Sequence, residues 1–381
     1  MVLGFNRHKL RLSAFEKQAS PDAAINSSGD YPYAITRIRA RKRTLISPDQ
    51  FEKLLTFDVP QITRFIEESQ YRAQVDRLAV KFKGVDLLEQ ALALHLSELF
   101  NEILSFCKGR LLVMLRAYLN KYDAQNYKNI LRGKATKTGA DRIRETIIAA
   151  GEQGMEYWNR LIETDTFDQA IERFESPYGD AVRDVLRRYK DENPQARSHE
   201  CLAVLEETID RILYARLARA APGETPAEKL FRDFIARTID FANLTTLFVL
   251  VGEGLASEAI LTHMLPKGAD LTPALQKLLA EQKGIDAFLD ALKKSTFWRH
   301  IESTDPKVLE SKSLAKLEMA FKRVVAHWCS HKGKQYPLSA LPAIEFILRK
   351  ELEVQNLRML ARGKSLNLSE ADLRDLLDLG E

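Results

Sequence analysis

The sequence predicts an all-α protein built from three similar helical units. Two observations predict the fold class: long segments carry apolar residues three and four positions apart, and no run alternates as a half-buried strand does. A third predicts the organisation, because one short motif recurs along the chain at a nearly constant interval. At roughly 150 residues per domain, a chain of 381 residues has room for two or three such units.

The apolar spacing predicts six long amphipathic helices and sets their limits. The predicted segments are 85–107, 110–132, 198–218, 225–252, 308–331 and 337–362. Shorter helices fill the gaps: Ser47-Pro48 marks one start, with proline at the first helical position, and Thr296 lies near another. Residues 1–30 precede these elements and are predicted to form a mildly basic, mostly disordered arm.

Composition allows a packed core and excludes some classes of function. Hydrophobic residues make up 45% and charged residues 29%, which argues against gross disorder. The net charge of +4 is nearly balanced, so the whole chain is not expected to coat a polyanion. The longest uncharged apolar run, Phe241 to Gly252, is shorter than the ~20 residues that a membrane span needs.

The cysteines point to a reducing compartment. Cys107, Cys201 and Cys329 are far apart and odd in number, so they predict neither a disulfide framework nor a Cys-x-x-Cys metal knuckle. His327 and His331 lie four positions apart on one helix face, where two ligands could chelate zinc. No third ligand is near them in sequence, and no metal is expected.

The recurring motif pairs an acid with an asparagine three residues later, which places both on the same face of a helix. The three pairs are Asp123 and Asn126, Asp240 and Asn243, and Glu353 and Asn356. The asparagines are 117 and 113 positions apart. A glycine follows each asparagine at an offset of 25, 25 or 24, at Gly151, Gly268 and Gly380. Fixed offsets over this distance predict three copies of one unit, 31–151, 152–268 and 269–381.

The first and third copies also share the end of a long helix, Arg132-Gly133-Lys134 and Arg362-Gly363-Lys364. We interpret the arginine as lying in the last turn and the glycine as a left-handed cap just beyond it. Val251-Gly252-Glu253 is expected at this place in the middle copy. Capping boxes at Thr138 and Ser369 are expected to start the short helices that follow.

These residues resemble a known family. Tyr31 through Lys42, Phe65 through Ser69, and the two Arg-Gly-Lys copies resemble the C subunit of archaeal-type (A/V-type) ATP synthases, which is related to the d subunit of the vacuolar proton pump. The resemblance covers about 31–381 and implies a funnel of three helical domains about a pseudo-threefold axis. It also implies a non-catalytic rotor component on the cytoplasmic face of the membrane, with no cofactor.

The partners implied by the resemblance are the central-stalk D and F subunits in the cavity of the funnel and the ring of proteolipid subunits below it. The catalytic A and B subunits would be coupled indirectly. The resemblance leaves open whether the ring carries H+ or Na+ and whether synthesis or hydrolysis dominates. A different class of function, a free-standing helical scaffold that binds proteins, fits the composition as well.

A basic cluster near the start of the first unit is the candidate partner contact. Its members are Arg37, Arg39, Arg41, Lys42 and Arg43. A solvated or salt-bridged helix face is the plainest interpretation, and contact with an acidic stalk or ring surface is the functional one. Nucleic acid is disfavoured, because Tyr31 and Tyr33 are the only aromatic residues near the cluster.

One stretch imitates a nucleotide-binding loop. Gly363-Lys364-Ser365 matches the end of a phosphate-binding pattern, but that pattern needs glycine at position 358, where the chain has Arg358. It also needs a preceding strand, and a helix is predicted here. We therefore expect no nucleotide cofactor.

Overall fold

The computed structural model describes residues 31–302 and 312–377. Within these ranges the chain forms helices joined by turns, with no β-strand, so the predicted all-α class is confirmed. The arm at 1–30 and Gly380, both singled out in the sequence, lie outside the described residues.

After a first helix, α1 (Tyr31–Lys42), the described α-helices follow one another in three sets of six with a similar order of shorter and long helices. The first set is α2 (Pro48–Leu55), α3 (Val59–Glu67), α4 (Arg72–Leu78), α5 (Gly84–Phe106), α6 (Gly109–Ala135) and α7 (Ala140–Glu145). The second is α8 (Met155–Ile162), α9 (Phe167–Glu172), α10 (Tyr178–Glu192), α11 (Leu202–Ala220), α12 (Pro226–Gly252) and α13 (Ser257–Thr262). The third is α14 (Pro273–Ala280), α15 (Ile285–Lys293), α16 (Thr296–Glu302), α17 (Leu314–Gln335), α18 (Leu341–Ser365) and α19 (Glu370–Leu376).

Each set therefore contains three shorter helices, two long ones and a final short one. The predicted long segments correspond to α5, α6, α11, α12, α17 and α18. A 3-10 turn, Ser198–Cys201, precedes α11, so the α-helix starts later than the predicted 198. The predicted start of α17 at 308 falls outside the described residues, which resume at 312.

The helix starts follow local capping chemistry. Ser47 caps α2 by accepting a hydrogen bond from the backbone N–H of Gln50, with Pro48 at the first position as expected. Ser369 caps α19 in the same way through the N–H of Asp372. The capping box expected at Thr138 is wrong, because α7 begins after Gly139 and has no side-chain cap.

The six long helices close on themselves. In chain order each of them packs against the next, α5 on α6, α6 on α11, α11 on α12, α12 on α17 and α17 on α18. The last one, α18, packs back on α5, and α1 lies against both of these helices. The six long helices therefore form a closed ring, in which each of them packs against two others.

This position explains why α18 is buried on most of its sides. Its neighbours α17, α5 and α1 cover Ile344, Ile347, Leu357 and Leu360, among other apolar residues. Residues 341–348 at the start of this helix are all buried, so its buried surface is not confined to one face, as expected for a helix at the centre of a fold. Even its Lys350 is fully buried.

The glycine caps predicted at Gly133 and Gly363 are wrong in position, because both glycines lie inside their helices. The left-handed residues come four positions later, at Lys137 and Asn367, with φ of 56° at each. There the chain turns back: the N–H of Thr138 bonds the carbonyl of Gly133 at 2.8 Å. Absence of a side chain matters at Gly133 for a different reason, since the following short helix crosses directly over it.

We predict that Gly133→Ala destabilises the fold. Its Cβ would lie 2.5 Å from Cγ1 of the buried Ile143 on α7, so that side chain or the short helix must shift. Overpacking of this kind typically costs about 1–3 kcal/mol, against a gain in helix propensity of up to ~1 kcal/mol. Urea unfolding checks the change. Gly252→Ala is the matched control, because its Cβ meets only Ile285 at 3.1 Å, and a larger loss there would contradict the explanation.

Candidate interaction site

Two arginines of the basic cluster hold α1 against α5. The guanidinium groups of Arg37 and Arg41 both lie over the ring of Phe106, at 4.4 and 5.2 Å from its centroid. Arg41 donates a hydrogen bond to Glu102, and Arg37 lies 3.8 Å from the same carboxylate. These cation–π and ionic contacts fix the helix within the chain, so the two charges are partly satisfied already.

Lys42 forms a third internal contact, with the end of its side chain 2.6 Å from Oε1 of the buried Glu345 on α18. Burial alone would raise the pKa of Glu345, but the bonds from Lys42 and Arg349 outweigh it and lower that pKa. Arg39 and Arg43 differ: both are exposed, and neither has an ion-pair partner among the described residues. Of the five predicted contact residues, these two remain available to another molecule.

The first motif acid is a buried anchor for the backbone that enters the second set. Oδ2 of Asp123 accepts the N–H of Glu152 at 2.6 Å, and Oδ1 accepts that of Gln153 at 3.4 Å. Asn120 donates to the same carboxylate at 2.8 Å. Burial raises the pKa of Asp123 to about 7, although the backbone donors oppose this. A Cβ on Gly151 would overlap the Asp123 carboxylate, which explains the fixed glycine offset.

The second motif acid repeats this geometry. Oδ2 of Asp240 accepts the N–H groups of Ala269 and Asp270 at 3.0 and 2.6 Å, just before the third set begins. Gly268 again has no room for a Cβ, because it would meet Oδ1 of Asp240. Burial raises the pKa of Asp240 as well.

The asparagines of the first two motifs form hydrogen bonds with the backbone of the same connections between sets. Asn126 donates to the carbonyl of Ile148 at 2.9 Å and accepts its N–H at 3.1 Å. Asn243 makes the same pair of bonds with Leu265, at 2.9 and 2.7 Å. Both bonds span 22 positions, and the same offset from Asn356 reaches position 378, outside the described residues. Asn356 itself is buried.

Glu353, the third motif acid, contacts residues near the start of the described chain. Its Oε2 accepts the N–H of Ile46 at 2.7 Å, just before α2. Its Oε1 accepts bonds from Gln70 at 3.2 Å and from the hydroxyl of Tyr71. Ile46 lies just before the first set, and Glu152 lies just before the second. Glu353 therefore binds the backbone that enters the first set, as Asp123 binds the backbone that enters the second.

A buried lysine takes part in this contact between Glu353 and the first set, which we call the closing contact. Nζ of Lys350 lies 2.6 Å from Oε1 of Glu353 and donates to the Tyr71 hydroxyl at 2.8 Å. Burial lowers the pKa of Lys350 and the charge of Glu353 opposes that shift. Removing one partner of a buried ion pair costs more than the pair contributes, because the other charge is left unpaired.

The arginines and lysines of the Arg-Gly-Lys copies tie each helix end to the next set. Arg132 forms two bonds to Glu206 on α11, at 2.6 and 2.7 Å, and Arg362 forms two to Glu89 on α5. Lys134 donates to the carbonyl of Ile162 at 2.6 Å. In the third set the equivalent donation joins Lys364 to the carbonyl of Leu55.

The expected register of the middle copy is wrong by two positions. The residues at the same distance from Asn243 as Arg-Gly-Lys from Asn126 are Val249-Leu250-Val251, not Val251-Gly252-Glu253. The chain reversal fixes this register: the N–H of Leu255 bonds the carbonyl of Leu250 as that of Thr138 bonds Gly133. Gly252 resembles the glycine of the other copies in sequence, but it does not occupy the same place in the fold.

Sequence reasoning missed the glutamates that receive the two arginines. Glu89 and Glu206 each lie 34 positions before the motif acid of their own set, so the repeat interval itself could have revealed them. It also missed Lys350 and Tyr71, whose importance depends on the fold bringing residues 279 positions apart together. No three His, Cys, Asp or Glu side chains converge as a metal site would need in residues 31–302 and 312–377.

Comparison with known proteins decides the family. The model of the family described as ATP synthase (C/AC39) subunit matches residues 34–376. The chain belongs to the ATP synthase (C/AC39) subunit family. The A-type ATP synthase C subunit of Methanococcoides burtonii is 33% identical over 92% of this chain and 95% of its own length. The corresponding C subunit of Methanosarcina acetivorans is 32% identical over 96% and 98%, and that of Archaeoglobus fulgidus 30% identical over 90% and 94%.

The family match includes every motif acid and asparagine and the whole basic cluster, while residues 1–30 and Gly380 lie outside it. One described helix, α12, has an 18-residue window with mean hydropathy 1.5 and at most two charges, enough in length and composition to cross a membrane. Half of that window is buried inside the fold, which is also a feature of core helices.

A buried histidine beside the closing contact predicts a pH dependence. The ring centroid of His95 is 4.3 Å from that of Tyr71, and its Nδ1 is 3.3 Å from Oε1 of Gln74. Its Nε2 has no hydrogen-bond partner among the described residues. Burial, and after it the charge of Lys350, lowers the pKa of His95 to about 3.

Through His95 we expect the free energy of unfolding to fall as the pH drops from about 6.5 toward 3, while the raised pKa of Asp123 acts in the opposite direction. The unfolded chain protonates this imidazole below pH ~6.5 while the folded chain does not, so each unit of pH in this window costs up to ~1.4 kcal/mol. Urea unfolding at pH 7 and pH 5 checks this in the native chain and in His95→Met, which cannot take up the proton. The same change between the two pH values in both proteins would contradict the assignment.

Proposed function

We propose that this chain is a non-catalytic subunit of a rotary A/V-type ATP synthase, coupling its central stalk to its membrane proteolipid ring. The observation that carries the proposal is family membership over residues 34–376, with relatives that are named as the C subunit of A-type ATP synthases and match nearly end to end. In this proposal the three sets of helices are the three repeats of a funnel. The site of action is the cytoplasmic face of the membrane.

The contacts of the fold suit a component that transmits torque. A coupling element must move as one body, and directional contacts between packed helices resist sliding. Asp123, Asp240 and Glu353 each bind backbone N–H groups of a neighbouring set, and the sets are joined end to end. A load applied to one set is therefore passed to the others.

Arg39 and Arg43 are the residues that we propose for docking. Whereas Arg37, Arg41 and Lys42 are engaged in contacts with α5 and α18, Arg39 is exposed on α1 and Arg43 is exposed just after the end of that helix. An acidic surface on the stalk D and F subunits or on the ring would complement them, and such contacts weaken as salt rises. The catalytic A and B subunits would be reached only through the stalk.

The test is affinity capture of the tagged full chain from gently solubilised membranes of its source organism, with mass spectrometry of the eluate. We expect the catalytic, stalk and proteolipid subunits to elute together. Recovery of the chain alone, under conditions that keep the ATPase intact, would contradict the proposal and favour a free-standing scaffold.

A charge-reversal variant tests the docking residues separately. Arg39→Glu with Arg43→Glu should reduce capture of stalk or ring subunits at physiological salt, while the fold stays intact. Lys293→Glu with Lys294→Glu is the matched control, because these two lysines are also exposed and adjacent in sequence to no motif residue. Equal capture by both variants would show that Arg39 and Arg43 are not docking residues, without contradicting the assignment based on the family.

A further inference from the structure

The three junctions between the sets are not equally built. In the first junction, between α6 and the second set, Arg132 is bound to Glu206 and Lys134 to backbone carbonyls at the end of α8. In the closing junction, between α18 and the first set, Arg362 and Lys364 make the same contacts. Both helix ends are therefore held by directional bonds to charged groups.

The second junction, between α12 and the third set, lacks these groups. The positions of the arginine and the lysine are occupied by Val249 and Val251. The position of the receiving glutamate, 34 residues before the motif acid, is Met319 on α17. None of these three side chains can donate or accept a strong hydrogen bond, so the ionic contact is missing on both sides at once.

Toward the end of α12 apolar contacts hold this junction instead, while earlier in that helix the guanidinium of Arg237 lies 4.4 Å from the ring centroid of Trp328 on α17. The rings of Phe241 and Phe321 stack with centroids 4.7 Å apart, and those of Phe248 and Phe288 meet edge to face at 5.8 Å. Below them Asp240 keeps its bonds to the entering backbone. The junction is thus anchored in the middle of α12 and is apolar toward its end, where Val249 is 38% exposed.

We propose that the ring of long helices opens at the second junction, with the carboxyl-terminal end of α12 separating from α17. A closed ring can open at one interface without breaking the others, and it opens where directional contacts are fewest. Apolar side chains can slide past one another over short distances, whereas a bidentate arginine–glutamate pair has one geometry. The opening hinges at Asp240 and Asn243, which keep the rest of α12 attached.

Hydrogen exchange of the isolated full chain tests the proposal, since amide exchange reports local opening. Amides of 247–252 should exchange about tenfold faster than those of 130–135 and 360–365, a ratio expected when one ion pair and one lysine contact are absent. Equal rates at the three helix ends, or faster exchange at either of the other two, would overturn the proposal.

A second test installs the ionic contacts at the second junction and removes them at the first. Val249→Arg with Met319→Glu installs the missing pair, and we expect slower exchange of 247–252. Val249→Arg alone is the matched control and should not slow it. The reciprocal variant, Arg132→Val with Lys134→Val, should speed exchange of 130–135 toward the rate of α12. An unchanged rate in the reciprocal variant would contradict the role given to these contacts, whether or not the installed pair folds well.

Discussion

The fold depends on a buried carboxylate that accepts backbone N–H groups from a connection between helices. Asp123 and Asp240 do this for the second and third sets, and Glu353 does it for the first. A buried acid without such donors would be strongly disfavoured, and a buried connection without an acceptor would leave its N–H groups unpaired. The backbone N–H groups satisfy the acid, and the acid satisfies the N–H groups. This pairing fixes the position of the long helix relative to the start of the next set.

Closure of the ring follows from the third of these contacts. Asp123 and Asp240 bind backbone that follows them in the chain, whereas Glu353 binds Ile46 near its start. Lys350 and Tyr71 then fill the space around a longer side chain. The result is a ring with two junctions reinforced by arginine and lysine at the end of a long helix and one that is apolar there, which is the junction proposed to open.

The sequence predicted the class of fold, the long helices and the motif acids, because periodicity and repeated spacing are local signals. Its glycine offsets were informative for a reason that the fold explains: Gly151 and Gly268 leave room for a carboxylate. The prediction that Gly133 and Gly363 are helix caps was wrong. In sequence alone, a glycine required where two helices cross closely cannot be distinguished from a glycine that caps a helix. The partner of Glu353 could not be read, because nothing local connects it with Ile46, 307 positions away.

The most direct measurement is the free energy of unfolding of Glu353→Ala, combined with hydrogen exchange of residues 46–55 and 152–162. If Glu353 closes the ring, the variant loses about 3–5 kcal/mol, because Lys350 is left buried without its partner. Exchange then rises in 46–55, which Glu353 holds through Ile46, more than in 152–162, which Asp123 holds. A loss below about 1 kcal/mol, as for an exposed ion pair, with equal exchange in both segments would contradict the closing role.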